Sequence, residues 1–236
     1  MEINRIEPSD KVKPFLKGLN LPRSYAGKIN KPNFIKYCFQ KEIELSVVSE
    51  TCKRFQDVYN TIAGARLFVA LSQIKEFPEI LQPDKWGYNW LRSRYVSDAI
   101  LLYEASFDLL LQIPWIFFQV YKQYRLDMPK DLAEILRKCH LHNLNGKIDK
   151  ELYSILEKFD KNENRFISKS ANYIKHKQCL VFKELLLSDN FAVIGNGYNS
   201  FQNLKVYSLD EVIERLKKHN NKLVDLCSKV QLYIPF

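Results

Sequence analysis

The sequence predicts a mainly α protein, a single antiparallel helical bundle with a small β-hairpin or extended excursion near residues 190–207. Three observations carry that prediction. Apolar residues recur at threes and fours through long stretches, as in Val47, Val48, Phe55, Val58, Tyr59 and Ile62. Only 7 glycines and 9 prolines interrupt a chain of 236 residues that is 46% hydrophobic, which is enough to build a sizeable core. Helix-boundary signals punctuate the periodic runs, among them the Asn145-Gly146 turn and the capping box Ser208-Leu-Asp-Glu211.

Taken in order, residues 1–32 are polar, basic and proline-punctuated, and with the residues up to 40 they read as an irregular, basic N-terminal arm. Residues 41–236 then form one helical domain, of which 188–236 is a C-terminal addition. Its first helix spans about 41–77 and is closed by Pro78. Gly64 either bends it or admits a close neighbour. Residues 81–90 form a loop rich in aromatic residues, whose tryptophans are expected to cap the core. A second long helix runs over 91–124, and Pro114 should kink or divide it. Pro129 opens a short helix with Leu132, Ile135 and Leu136 facing inward. After the turn at Asn145-Gly146, residues 147–160 give a helix with Leu152, Ile155, Leu156 and Phe159 on one side. A further helix follows, continuing to about residue 187. Residues 191–207 combine glycine, asparagine and short β-prone runs, hence the excursion. The last helix starts at the capping box and turns Val212, Ile213, Leu216, Leu223, Val224 and Leu226 inward. The apolar C-terminal residues should pack onto the body.

Thirty-six Lys+Arg against 27 Asp+Glu give a formal charge of +9, an excess that draws polyanions, nucleic acid foremost. The apolar stretch 99–121 is long enough to span a bilayer. However, Glu104, Asp108, Gln112 and Gln119 form one polar stripe along it, and each central charge would cost about 3 kcal/mol in lipid. A buried bundle helix and no membrane partner are therefore expected. The N-terminus lacks a signal-type apolar core. The five cysteines are odd in number, widely spaced and without a CxxC pair, so reduced, mostly buried thiols in a cytoplasmic protein are expected. Cys139-His-Leu-His142 has no second cluster of ligand spacing, so it reads as surface residues at a helix end. No glycine-rich phosphate loop, Gly-x-Ser-x-Gly elbow or His-Glu-x-x-His pair occurs, and no metal or cofactor is expected.

Of the four histidines, His140 and His142 flank a loop and His219 ends a Lys-Lys-His run that reads as exposed. His176 is different. On a helix, Arg165, Lys169, Asn172 and His176 fall within roughly 60° of one another, while Ile167, Ala171, Ile174 and Val181 lie on the opposite, core-facing side. An imidazole titrates near neutrality and can move a proton at a ribose 2′-hydroxyl or a leaving oxygen. Cations one and two turns away can hold a phosphate and offset charge that develops on it. Lys169 and Arg165 supply those cations, Asn172 orients the imidazole or a phosphate oxygen, and Lys175 and Lys177 add phosphate-holding charge beside it. RNA cleavage by its own 2′-hydroxyl needs these parts and no metal. A solvated basic face accounts for the same residues without any function.

The string Asn172-Tyr-Ile-Lys-His176 resembles the end of the Arg-(Asn)-x-x-Lys-His signature of HEPN domains. Phe107-Asp-Leu-Leu-Leu-Gln-Ile-Pro-Trp115 on the earlier long helix is similar to a little-characterised bacterial branch of that superfamily. The resemblance covers about 41–187. It implies an antiparallel bundle that dimerises with two motif helices meeting at a groove, and a metal-independent ribonuclease of toxin–antitoxin or other defence settings, with RNA and an antitoxin or regulatory protein as partners. The motif's arginine lies four to six intervening residues before its histidine, where this chain has Ala171, Ser170 and Lys169. Lysine keeps the charge but lacks the bidentate fork. Three readings follow: a ribonuclease, an inert HEPN-like module that binds nucleic acid, nucleotide or protein by the same face, and a helical interaction protein in which the motif is coincidence.

Overall fold

The computed structural model describes residues 9–22, 36, 39–40, 42–74, 85–177, 179–186 and 205–234. In chain order the elements are α1 (Lys13–Leu16), α2 (Leu45–Leu71), α3 (Lys85–Phe117), α4 (Leu132–Arg137), α5 (Lys150–Asn162), α6 (Arg165–His176), β1 (Val181–Phe182), β2 (Val206–Tyr207) and α7 (Leu209–Leu232). Short 3₁₀ turns at Val120–Tyr124, Leu141–Leu144 and Lys183–Leu185 join them. The fold is mainly helical, as predicted.

The two longest helices pair antiparallel, and their contacts can be followed like rungs. Arg92 Nε donates to the Ser72 carbonyl at 2.8 Å, Phe68 stacks on Tyr95 at 5.9 Å, and Gly64 lies opposite Leu102. At the far end Lys122 pairs with Glu44 at 3.1 Å. Gly64 permits this approach, because a Cβ there would sit 3.2 Å from Leu102 Cδ1. The central α3 buries Val96, Ala99, Ile100, Tyr103, Leu110, Ile113, Trp115 and Ile116. It is long and apolar enough to cross a membrane, and 67% of its most apolar window is buried within the protein. Pro114 lies inside it without dividing it. The helix runs on to Phe117, and the chain leaves only at Gln119, whose φ of +53° breaks the helical path.

α7 runs in the same direction as α3, since Asp210 pairs with Arg92 at one end and Asn220 accepts from the Tyr103 hydroxyl at 3.1 Å further along. Its start is capped from a distance. The Ser208 hydroxyl and the Leu209 N–H both donate to the Glu184 carboxylate at 3.1 Å, and Ser208 makes no capping bond of its own. The predicted box with Glu211 is thus replaced by a carboxylate 24 residues upstream of Ser208. Glu184 reaches this place because β1 and β2 pair in parallel, Val181 with Val206 and Phe182 with Tyr207. β2 belongs to the described part of the excursion predicted near 190–207, whereas β1 falls in the stretch predicted as helix; residues 187–204 lie outside the described residues. At α5, Asp149 caps in the expected local way, accepting from the Glu151 and Leu152 N–H groups at 2.8 and 3.0 Å, a device that contributes about 1 kcal/mol.

Several boundaries differ from expectation, each for a tertiary reason. The helix at residue 165 ends at His176 instead of near 187, so Val181 belongs to β1 and not to the apolar side of the helix. Pairing with Val206 overrides a helical period that continues in the sequence. The aromatic loop 81–90 is already helical from Lys85. Trp90, carried on the outer side of α3, is 41% exposed and does not cap the core. Pro129 lies in the turn before α4, where its carbonyl accepts from the Leu132 N–H at 3.2 Å. Within the expected arm, residues 9–22 are docked: Val12 and Leu19 are buried, and Asn221 and Asn220 bond the backbone of Gly18 and Asn20 at 3.0 Å. Of the described cysteines Cys227 is buried, Cys52 and Cys139 partly so, and Cys179 is exposed.

Candidate functional site

α6 presents three faces, and the order of its residues decides which group meets which surface. Ile167, Ser170 and Ala171 are buried, which fixes the helix on the bundle. Arg165, Lys169, Asn172 and His176 are all exposed and occupy the predicted stripe. Among the described residues no acidic side chain pairs with Arg165 or Lys169, and nothing hydrogen-bonds the His176 ring. Asn172 therefore does not hold the imidazole in this structure. Ala171, the position where the HEPN signature most often has arginine, is wholly buried, so a charged side chain there would point into the core and away from His176.

The second face meets α3. Asn164, at the N-cap position of α6, is 1% exposed and makes no cap hydrogen bond. Its amide instead donates to Glu104 Oε2 and Asp160 Oδ1, both at 3.4 Å, and leaves its own carbonyl buried without a partner. Burial and then the nearby Asp108 push the Glu104 carboxyl above its ordinary range, against the pull of Ser168, Lys175 and Asn164. Asp108 is exposed, yet the packing around its carboxyl still desolvates and raises it, opposed by Lys175 and His140. Glu104 and Asp108 of the polar stripe along α3 thus face α6, whereas Gln112 Oε1 is buried with no partner among the described residues. Lys175 neighbours these carboxylates, set apart from Arg165 and Lys169 on the helix, while Lys177 lies over the Tyr173 ring at 5.8 Å.

An open hollow of about 530 Å³ adjoins the stripe, lined by Asp160, Lys161, Asn162, Arg165, Ser168 and Lys169. Arg165 and Lys169 wall it, whereas His176 lies nearly two turns beyond Lys169. A separate groove of about 350 Å³ between α5 and α7 has Phe159 and Leu226 at its base and Lys158, Lys222 and Lys229 around it. His219 corrects the sequence reading. It is 5% exposed, with its ring edge-on to Tyr103 at 5.2 Å and against Phe159 at 5.6 Å. Its Nδ1 lies 3.2 Å from the Glu163 carbonyl, Nε2 has no partner among the described residues, and burial holds its pKa down at about 4. The ring is neutral at pH 7 and serves the core. His140 and His142 are exposed and stack at 5.5 Å, and no group fit to hold a metal occurs among the described residues.

The third face carries Phe166 and Tyr173, and the sequence reading did not single it out. Phe166 meets Tyr207 of β2 edge to face at 6.0 Å, and Arg215 of α7 lies over the Phe166 ring at 5.1 Å. The available signal was the Phe166, Tyr173, Lys177 spacing, one aromatic–basic stripe at helical period. Its partners Lys205, Tyr207 and Arg215 are remote in sequence. Comparison of the chain with known protein families, curated proteins and solved structures returns no match.

Proposed function

We propose that this chain is a HEPN-like, RNA-directed protein of the cytoplasm that works as a homodimer and cuts RNA without a metal through the outward stripe of α6. The observation that carries this reading is the coincidence, on one helix face, of the exposed His176 imidazole and two cations free of acidic partners among the described residues. Arg165 and Lys169 border a hollow whose volume falls in the range of ligand sites, and a phosphate there would meet charge from both. His176 takes the proton of a ribose 2′-hydroxyl, the 2′-oxygen bonds to phosphorus, and the bond to the 5′-oxygen breaks. The departing oxygen regains a proton from that imidazole or from its counterpart in a second subunit, leaving a 2′,3′-cyclic phosphate and a 5′-hydroxyl. Asn172, one turn below His176, holds a phosphate oxygen in this reading. The chain's excess of positive charge serves the same polyanion, and an antitoxin or regulatory protein would act by covering the stripe.

A second reading, a HEPN-like module that binds nucleic acid, nucleotide or protein without cutting, draws on two facts. Among the described residues no group orients the His176 ring, and Ala171 leaves the arginine fork of the signature unsupplied. Single-stranded RNA incubated with the protein and EDTA, beside His176→Ala, separates the two. Metal-independent cleavage that disappears in the variant supports the ribonuclease. Salt-dependent binding without cleavage, weakened by Lys169→Ala, supports the binding module. Equal cleavage by protein and variant overturns the assignment of His176.

A further inference from the structure

We infer that the third face of α6 is a docking platform for unpaired nucleotides, lying beside the stripe and built jointly with β2 and α7. It rests on the RNA-directed reading of that stripe and names what the adjoining surface binds. Three partly buried rings line it, Phe166, Tyr173 and Tyr207, and each carries a cation over its face. Arg215 lies over Phe166 at 5.1 Å, Lys205 over Tyr207 at 5.2 Å, and Lys177 over Tyr173 at 5.8 Å. The rings belong to one patch: Phe166 touches Tyr207 at 6.0 Å, and Tyr207 senses both Arg215 and Tyr173 electrostatically. Along α6, Phe166 follows Arg165, Tyr173 follows Asn172 and Lys177 follows His176, so the platform runs beside the stripe for its whole length.

Pairing aromatic rings with cations suits an unpaired nucleotide better than it suits a duplex or an apolar partner. Single-stranded nucleic acid offers flat bases that stack on aromatic rings and phosphates that seek cations, in alternation. Each cation here is exposed and held over its ring by a contact too weak to resist competition. An arriving base can displace the lysine or arginine from a ring, and the released cation then meets the adjacent phosphate. A duplex keeps its bases inside and can use only the cations. An acidic peptide would likewise use the cations and leave the rings unused.

The test is made in His176→Ala protein, so that cleavage cannot consume the probe. A short single-stranded RNA carrying one fluorescent purine is titrated in parallel with a duplex of equal length, single-stranded DNA and an acidic peptide. Expected are quenching of the purine on binding, weaker binding of the duplex, and a five- to hundredfold loss of affinity for Phe166→Ala or Tyr207→Ala, with Tyr207→Phe restoring it. The exposed-cation variants Lys205→Gln and Arg215→Gln, which leave the rings in place, should each lower the salt dependence by about one unit. They keep the test decisive if truncating a ring unfolds the chain. Equal binding of single-stranded DNA also supports the platform and gives the 2′-hydroxyl no part in it. Unchanged affinity in folded ring variants, with loss in Lys169→Ala, overturns the platform and leaves the stripe standing. Duplex bound as tightly as single strand, or tight binding of the acidic peptide that RNA does not displace, also overturns it. Failure to bind any RNA overturns both it and the reading beneath it.

Discussion

His176 and His219 sit in nearly the same local sequence, Lys-His-Lys at the end of α6 and Lys-Lys-His in the middle of α7, and they meet opposite fates. The His176 ring stands in solvent with no partner among the described residues, while the His219 ring is enclosed by Tyr103, Phe159 and the Glu163 carbonyl. Neighbouring lysines decide neither outcome. Position within the helix does: His219 falls one turn from Leu216 and Leu223 on the buried side of α7, whereas His176 falls opposite Ile167 and Ala171 on α6. One imidazole stands in solvent, and the other is committed to packing in its neutral form.

The comparison can be broken at either end. The largest effect expected is in catalysis. His176→Ala should lower metal-independent RNA cleavage by at least about a hundredfold and move the urea midpoint by less than about 0.5 kcal/mol in stability terms. His219→Ala should do the reverse, costing about 2–4 kcal/mol in urea unfolding through the space it leaves, with cleavage per folded molecule unchanged. A loss of cleavage in folded His219→Ala equal to that in His176→Ala would end the division of roles.

An effect of about 3 kcal/mol is expected in pH dependence. With its folded pKa near 4 against 6.5 unfolded, His219 leaves the unfolded chain binding the extra proton between those values. Its contribution to stability is therefore full above pH 6.5 and is lost as pH falls towards 4. Glu104 and Asp108 act in the opposite sense, because their carboxyls are raised in the fold; their contribution is present at low pH and lost as pH rises through the folded value. Comparing the unfolding of the protein and of His219→Phe across pH 4–7 isolates the imidazole, and parallel curves would refute its assignment. The smallest effect expected is on RNA binding: Arg165→Gln and Lys169→Gln should each reduce the salt slope by about one unit, read by titration at several salt concentrations, and leave stability nearly unchanged.

Much of the bundle was legible in the sequence because helices report themselves through local periodicity. The inward apolar residues of α5 and α7 were read correctly from spacing alone, as was the exposure of Arg165, Lys169, Asn172 and His176. What failed was non-local. The end of α6 depended on the pairing of Val181 with Val206, and the cap of α7 on Glu184. The partners of Glu104 and Asp108 depended on which helix lay across α3. Trp90 was misplaced because residues 81–90 look like a loop locally, while α3 already runs through it from Lys85.

By itself the sequence determined that this chain is helical, basic and equipped with an imidazole among cations on one helical stripe, since period, charge and residue type are local properties. Only the tertiary structure decided that Lys175 lies near Glu104 and Asp108, that His219 is enclosed, and that Phe166 meets Tyr207 and Arg215 beside the stripe. Those outcomes hang on which helices and strands, remote in sequence, pack against one another. No spacing within one helix encodes that.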